Sequence, residues 1–130
     1  MNELSIEAKL ENLEKVQDFI REQLGDIPLK IKNQINITAE EIFSNIARYA
    51  YKPSTGIAIL RIHIDECITI EFEDKGTAHD PLLFKEPDIS LSLEERHTGG
   101  LGIFMVKKLM DSVEYRCEDN KNILTIKKKI

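Results

Sequence analysis

A chain of 130 residues with 18 Lys+Arg and 23 Asp+Glu carries a net charge of −5 and a pI near 5.3, and its length fits a single domain over residues 1–130. With 42% hydrophobic and 32% charged residues it falls in the globular range, and no apolar run approaches the roughly 18 residues a membrane span needs. The acidic balance argues against a nucleic-acid partner, because the only dense basic run, Lys127-Lys128-Lys129, reads as a solubilising tail.

The opening Met1-Asn2-Glu3 has neither a basic n-region nor an apolar h-region, so no signal peptide is expected. The two cysteines, Cys67 and Cys117, are too few for a disulfide framework or a structural zinc site. Both lie in strand-like stretches and are expected as small core residues. His63, His79 and His97 show no metal-ligand spacing. A reduced, cytoplasmic protein is the expectation.

Leu4, Ile6 and Ala8 alternate with polar residues and predict a short first strand. Leu10, Leu13, Val16, Phe19, Ile20 and Leu24 then recur at helical spacing, with Gly25 as the C-terminal cap. A second helix is expected from near Asp26 and Pro28 to about Tyr51, where Lys52-Pro53 stops it. Ala58, Leu60, Ile62, Ile64 and then Ile68, Ile70, Phe72 alternate, giving two strands around the turn Asp65-Glu66. Gly76, Pro81, Pro87 and Gly99 punctuate residues 74–99, a connection too long and irregular for an ordinary loop. A third helix is expected from about Gly100 to Met110. Two last strands, Val113 to Cys117 and Ile123 to Lys128, would flank a turn over Asp119-Asn120-Lys121-Asn122. This order predicts an α/β two-layer sandwich, with helices on one face of a mixed, largely antiparallel sheet.

Three short elements in this frame carry chemistry. On a wheel of the second helix, Ile31, Ile35, Ala39, Ile42, Phe43, Ile46 and Ala50 form the stripe expected to face the sheet. Glu41, Asn45 and Arg48 share another sector. A solvated helix face would show such a trio too. Asn45, though, is a mediocre helix former placed beside the apolar stripe, and its carbonyl oxygen suits a hard cation such as Mg²⁺. Glu41, one turn earlier, would then be a general base beside that metal.

After the strand ending near Phe72 come Asp74-Lys75-Gly76 and Asp80-Pro81. A carboxylate fixed at a strand end can accept a hydrogen bond from an exocyclic amine such as adenine's, and Gly76 lets the backbone approach a flat ring. The same residues also make an ordinary turn. Thr98-Gly99-Gly100-Leu101-Gly102 leads into the apolar Ile103-Phe104-Met105-Val106. Glycines at a helix N-terminus leave N–H groups free for phosphate, although a hinge or close-packing role fits them as well. The pattern is neither a Walker A loop nor a dinucleotide-binding fingerprint.

The order of the three elements, helix Glu-x-x-x-Asn, strand Asp-x-Gly, Gly-x-Gly helix, resembles the GHKL ATP-binding fold shared by gyrase and histidine kinases. Within it the chain is similar to the stand-alone anti-sigma factor serine kinases. Glu41 to Asn45 resembles the N-box, Asp74-Lys75-Gly76 with Asp80-Pro81 the first glycine box, and Gly99 to Ile103 followed by Lys108 to Asp111 the second. The resemblance implies Glu41 as catalytic base, Asn45 as the Mg²⁺ ligand, and Asp74 with Gly76 at adenine. It implies Gly100 and Gly102, with Thr98, Gly99 and Leu101, at the phosphates, and Arg48 as a further phosphate contact. The stretch from Pro81 to His97 resembles an ATP lid carrying Arg96. Relatives have a Gly-Thr pair entering the last strand where this chain has Lys121-Asn122, so the adenine-side contact would fall to Asn122 or Thr125.

The resemblance implies an ATP- and Mg²⁺-dependent protein serine kinase that phosphorylates a small anti-sigma factor antagonist and holds a sigma factor. It would be cytoplasmic, away from membrane and nucleic acid, with a homodimer possible. The competing expectation is a non-catalytic, nucleotide-gated binding module. A histidine-kinase fragment fits less well, because no dimerisation helix with a phosphoacceptor His precedes the domain.

Overall fold

A computed structural model describes residues 2–51, 54–77 and 98–130, with the backbone alone for 98–101. The five alternating runs form strands β1 (Asn2–Glu7), β2 (Ile57–Ile64), β3 (Cys67–Asp74), β4 (Ser112–Glu118) and β5 (Lys121–Lys129). They make one sheet in the order β1-β2-β3-β5-β4, antiparallel at every described pairing. The two-layer sandwich expected from the element order is the fold formed. The described strands hold no parallel pair, because β2–β3 and β4–β5 are hairpins and the helix before β4 returns the chain so that β5 opposes β3.

Leu60, Ile62, Ile68, Ile70, Phe72, Leu124 and Ile126 occupy one face of the sheet and join the hydrophobic core. Above them lie α1 (Leu13–Leu24), α2 (Leu29–Asn45) and α3 (Thr98–Leu109), with α2 packed between the other two. Val16, Ile20, Ile35, Ala39, Phe43 and Val106 close the core from the helix side. Each large apolar side chain buried there contributes about 1.5–3 kcal/mol. The opposite face carries charge instead. Arg61 donates through Nε to Glu3 and through Nη1 to Glu73, both at 2.9 Å, which lets Glu73 remain buried there.

Three boundaries differ from expectation, and each matters for the site. The second helix is α-helical only to Asn45; Ile46–Ala50 form a single π turn, a widening that recurs near functional sites. The third helix starts at Thr98 rather than Gly100. The four-residue turn before the last strand contracts to Asp119-Asn120, both with left-handed backbone (φ 51° and 62°), and Glu118 pairs directly with Lys121. Two such residues match the twist of a tight hairpin, and this draws Lys121 and Asn122 into β5.

The basic run is likewise part of β5, a strand paired on both sides, rather than a tail. Lys128 Nζ donates to the Leu109 carbonyl at 2.9 Å and caps α3. The cysteines are not core residues either: Cys67 is half-buried and Cys117, on the edge strand β4, is exposed. Gly25 does end α1 as expected, with φ 53° and its N–H on Arg21 O.

Because Asn120 is left-handed, a β-branched replacement pays the backbone penalty while glycine does not. Asn120→Val is expected to lower stability by about 1–2 kcal/mol, and Asn120→Gly to leave it level or raise it, measured as shifts in the urea midpoint.

Candidate functional site

β3 ends at Asp74, whose Cα partners are Ala58 on β2 and Asn122 on β5. The period-2 alternation turns Asp74 and Asn122 toward the helix side, in line with Phe72 and Leu124. Each is 7% exposed. Asp74 Oδ1 accepts the Gly76 N–H and an Asn122 Nδ2 proton, both at 2.9 Å. Burial raises the carboxyl from its ordinary value; Asn122 and the Gly76 amide oppose the rise, and neighbouring Glu73 adds to it. Among the described residues Oδ2 has no hydrogen-bond partner.

The end of α2 fixes the segment that follows Asp74. The Ala50 carbonyl, at the end of the π turn, accepts the Thr77 N–H at 2.9 Å. A Cβ on Gly76 would stand 2.1 Å from that same oxygen, so only glycine lets the backbones meet here. The Tyr51 hydroxyl accepts the Lys75 N–H and donates to the Ile57 carbonyl, each at 2.7 Å, tying this corner to β2.

The second group of residues lies across α2 and α3. Glu41 is half-buried, and Asn45 lies one helical turn on, where it favours the charged form of the carboxyl. Burial raises the Glu41 carboxyl, opposed first by the charge of exposed Arg48 on the π turn and then by Asn45, with Glu40 adding to the rise. A Cβ on Gly102 would fall 1.7 Å from Glu41 Oε1, so the α3 backbone rests directly on this carboxylate. Thr98, Gly99 and Gly100 form the first turn of α3, whose N–H groups lack intrahelical acceptors. Leu101 continues the helix toward Gly102.

The fold therefore brings Glu41 and Gly102 together at the α2–α3 contact with Asn45 one turn on, leaves Arg48 exposed on the following π turn, and sets Asp74 with Gly76 at the end of β3. It does not bring Thr125 to them. Thr125 lies between Glu71 and Glu114 on the opposite face of the sheet, one residue out of phase with Asn122. Of the two alternatives for the last strand, only Asn122 reaches Asp74. Asp80, Arg96 and the stretch from Pro81 to His97 lie outside the described residues. Tyr51 and Tyr115, the latter hydrogen-bonded to Asn122, were not anticipated from the sequence.

The donor chemistry limits what these residues can hold. Among the described residues no three His, Cys, Asp or Glu side chains converge on a metal position. Glu41 and Asn45 offer only a pair of hard oxygen donors, which fits Mg²⁺ that takes its remaining ligands from phosphate and water. An open buried acceptor, a glycine-lined approach and an orphan N–H turn suit a nucleotide.

The histidine kinase-like ATPase domain family matches residues 6–128, nearly the whole chain. The chain belongs to that family. The serine/threonine-protein kinase BtrW of Bordetella bronchiseptica is 28% identical over 75% of this chain and 70% of its own length. The serine-protein kinase RsbW of Staphylococcus aureus is 30% identical over 59% of this chain, and the match spans 53% of that protein. The fold is that of the histidine kinase domain from the Erythrobacter litoralis EL346 blue-light activated histidine kinase, with a TM-score of 0.57 and 15% identity, covering 92% of this chain and 60% of that one. Among the described residues, no helix of this family member is long and apolar enough to cross a membrane.

Two stability measurements check this geometry. Gly102→Ala is expected to destabilise by about 1–3 kcal/mol through overpacking, and Glu41→Ala in the same chain to recover most of that loss, since the clash is with the Glu41 side chain. A urea-denaturation double-mutant cycle reads the coupling.

Asp74→Asn is expected to raise the melting temperature of the ligand-free protein at neutral pH. The folded carboxyl titrates above the unfolded one, so folding takes up a proton between the two values. The burial cost is thus full above the folded value and vanishes below the unfolded value. The advantage of Asp74→Asn should accordingly narrow as pH falls through that window.

Proposed function

We propose that the chain is an ATP-dependent protein serine kinase of the anti-sigma factor type. It would phosphorylate a small antagonist protein and sequester a sigma factor in the cytoplasm, as a single domain able to pair with a second copy. The observation that carries this reading is Glu41: a half-buried carboxyl one turn from Asn45, set directly against Gly102 of α3, with a raised titration point. A base poised nearer neutrality than an exposed carboxylate is what proton abstraction from a serine hydroxyl requires. The kinase names of the relatives and the family membership support it.

In this reading Asp74 Oδ2 accepts the adenine amine and Gly76 gives the ring room. The N–H groups of Thr98, Gly99 and Gly100, which have no acceptor within the helix, receive phosphate oxygens, with the α3 dipole favouring the anion. Arg48 adds positive charge near the phosphates, and Asp80 and Arg96 would complete the contacts. Asn45 Oδ1 would hold Mg²⁺, which supplies charge neutralisation on the phosphate oxygens. Glu41 takes the serine proton as the serine oxygen bonds to the γ-phosphorus and ADP leaves.

The test uses labelled ATP and antagonist-like proteins encoded beside this chain. ATP and ADP, but not GTP, should raise the melting temperature of the protein. Glu41→Ala should retain ATP binding while phosphoryl transfer to serine falls by roughly 10²–10⁴-fold. Transfer unchanged in Glu41→Ala would overturn the assignment of the base. Nucleotide binding with no transfer from the unmodified protein to any antagonist would leave a nucleotide-gated binding module instead.

A further inference from the structure

Behind Asp74 stands a relay of side chains on neighbouring strands. Asn122 Nδ2 faces three acceptors: Asp74 Oδ1 at 2.9 Å, Thr77 O at 3.2 Å and Gly76 O at 3.3 Å. Only the amide nitrogen can occupy that side, so the amide oxygen must point the other way, where the Tyr115 hydroxyl meets it. The hydroxyl is therefore the donor, and it removes the freedom of the amide to flip. Both donors to the carboxylate, the Gly76 N–H and Asn122, fall on Oδ1. Among the described residues that leaves Oδ2 as the acceptor still open.

We propose that Asn122, locked by Tyr115, is a positioning residue that holds Asp74 with Oδ2 turned outward as a pure acceptor, and so sets the preference for a 6-amino purine over a 6-oxo purine. The inference rests on the nucleotide reading above. An amino group donates to Oδ2. A 6-oxo group places a second acceptor against it inside a buried site, where an unmatched pair of polar groups is costly. If Oδ1 lost its Asn122 donor, the carboxyl could rotate or accept a proton, and a protonated oxygen would donate to the 6-oxo group. Discrimination would then fall without any change in the residues touching the phosphates.

The experiment measures the dissociation constants of ADP and inosine diphosphate by calorimetry for the unmodified chain, Asn122→Leu and Tyr115→Phe. The unmodified chain should prefer ADP. Asn122→Leu should cut the preference by about tenfold, the scale of one hydrogen bond to a charged group. Tyr115→Phe, which deletes a single oxygen and is the safer variant for folding, should cut it in the same direction by less. A purely structural role would weaken both nucleotides together and leave their ratio intact. An unchanged ratio in Tyr115→Phe and in folded Asn122→Leu overturns the inference while the nucleotide reading stands. An unmodified chain that binds both equally overturns this inference and the adenine role of Asp74, and one that binds neither overturns the nucleotide reading as well.

Discussion

A carboxylate buried at the end of a central strand must be held by donors, because removing its charge from water without compensation costs several kcal/mol. Asp74 is in that position, and much of its neighbourhood answers the constraint. Gly76 folds back so that its N–H reaches Oδ1, which brings its Cα against the Ala50 carbonyl. The π turn presents that carbonyl to Thr77, and Tyr51 fastens the next backbone unit to β2. From the other side β5 supplies Asn122. The sheet, the end of α2 and the turn after β3 thus meet on one charge. The held state still falls short of full compensation, as the upward displacement of the carboxyl shows.

Glu41 obeys the same physics at the α2–α3 contact. Burial raises it, while Asn45 and Arg48 oppose the rise. Here the decisive restraint is steric: Gly102 lacks the Cβ that would displace the carboxylate, so α3 can lie close on α2. Two carboxyls whose burial outweighs their partners, on the helix side of one sheet, lower the stability of the fold at neutral pH. The far side of the sheet is the contrast. There Glu73 is equally buried but is matched by Arg61, which also reaches Glu3, and that cluster serves the fold.

The likeness to a histidine kinase domain at 15% identity shows how little sequence this architecture needs. A sheet with one apolar face and three helices laid on it tolerates wide substitution, provided volume and alternation are kept. Far fewer positions admit no substitute on steric grounds, as Gly76 against the Ala50 carbonyl and Gly102 against Glu41 show.

The chain by itself determined what near neighbours control. Alternation at Leu60, Ile62, Ile68, Ile70 and Phe72 specified strands, the stripe from Ile35 to Ile46 specified the buried face of α2, and the one-turn spacing put Asn45 beside Glu41. The Asp74-x-Gly76 turn was equally legible, because an Asp side chain and a glycine two residues on interact locally. The choice between Asn122 and Thr125 was not. It hangs on whether the preceding turn spans four residues or two, and one residue of slip sends a side chain to the other face of the sheet. The contact of Gly102 with Glu41 and the reach of Lys128 to Leu109 were equally hidden, since their partners are distant in the chain. Periodicity is written in each segment. Burial, and with it the titration of Asp74 and Glu41, exists only once separate segments have excluded water from the same place.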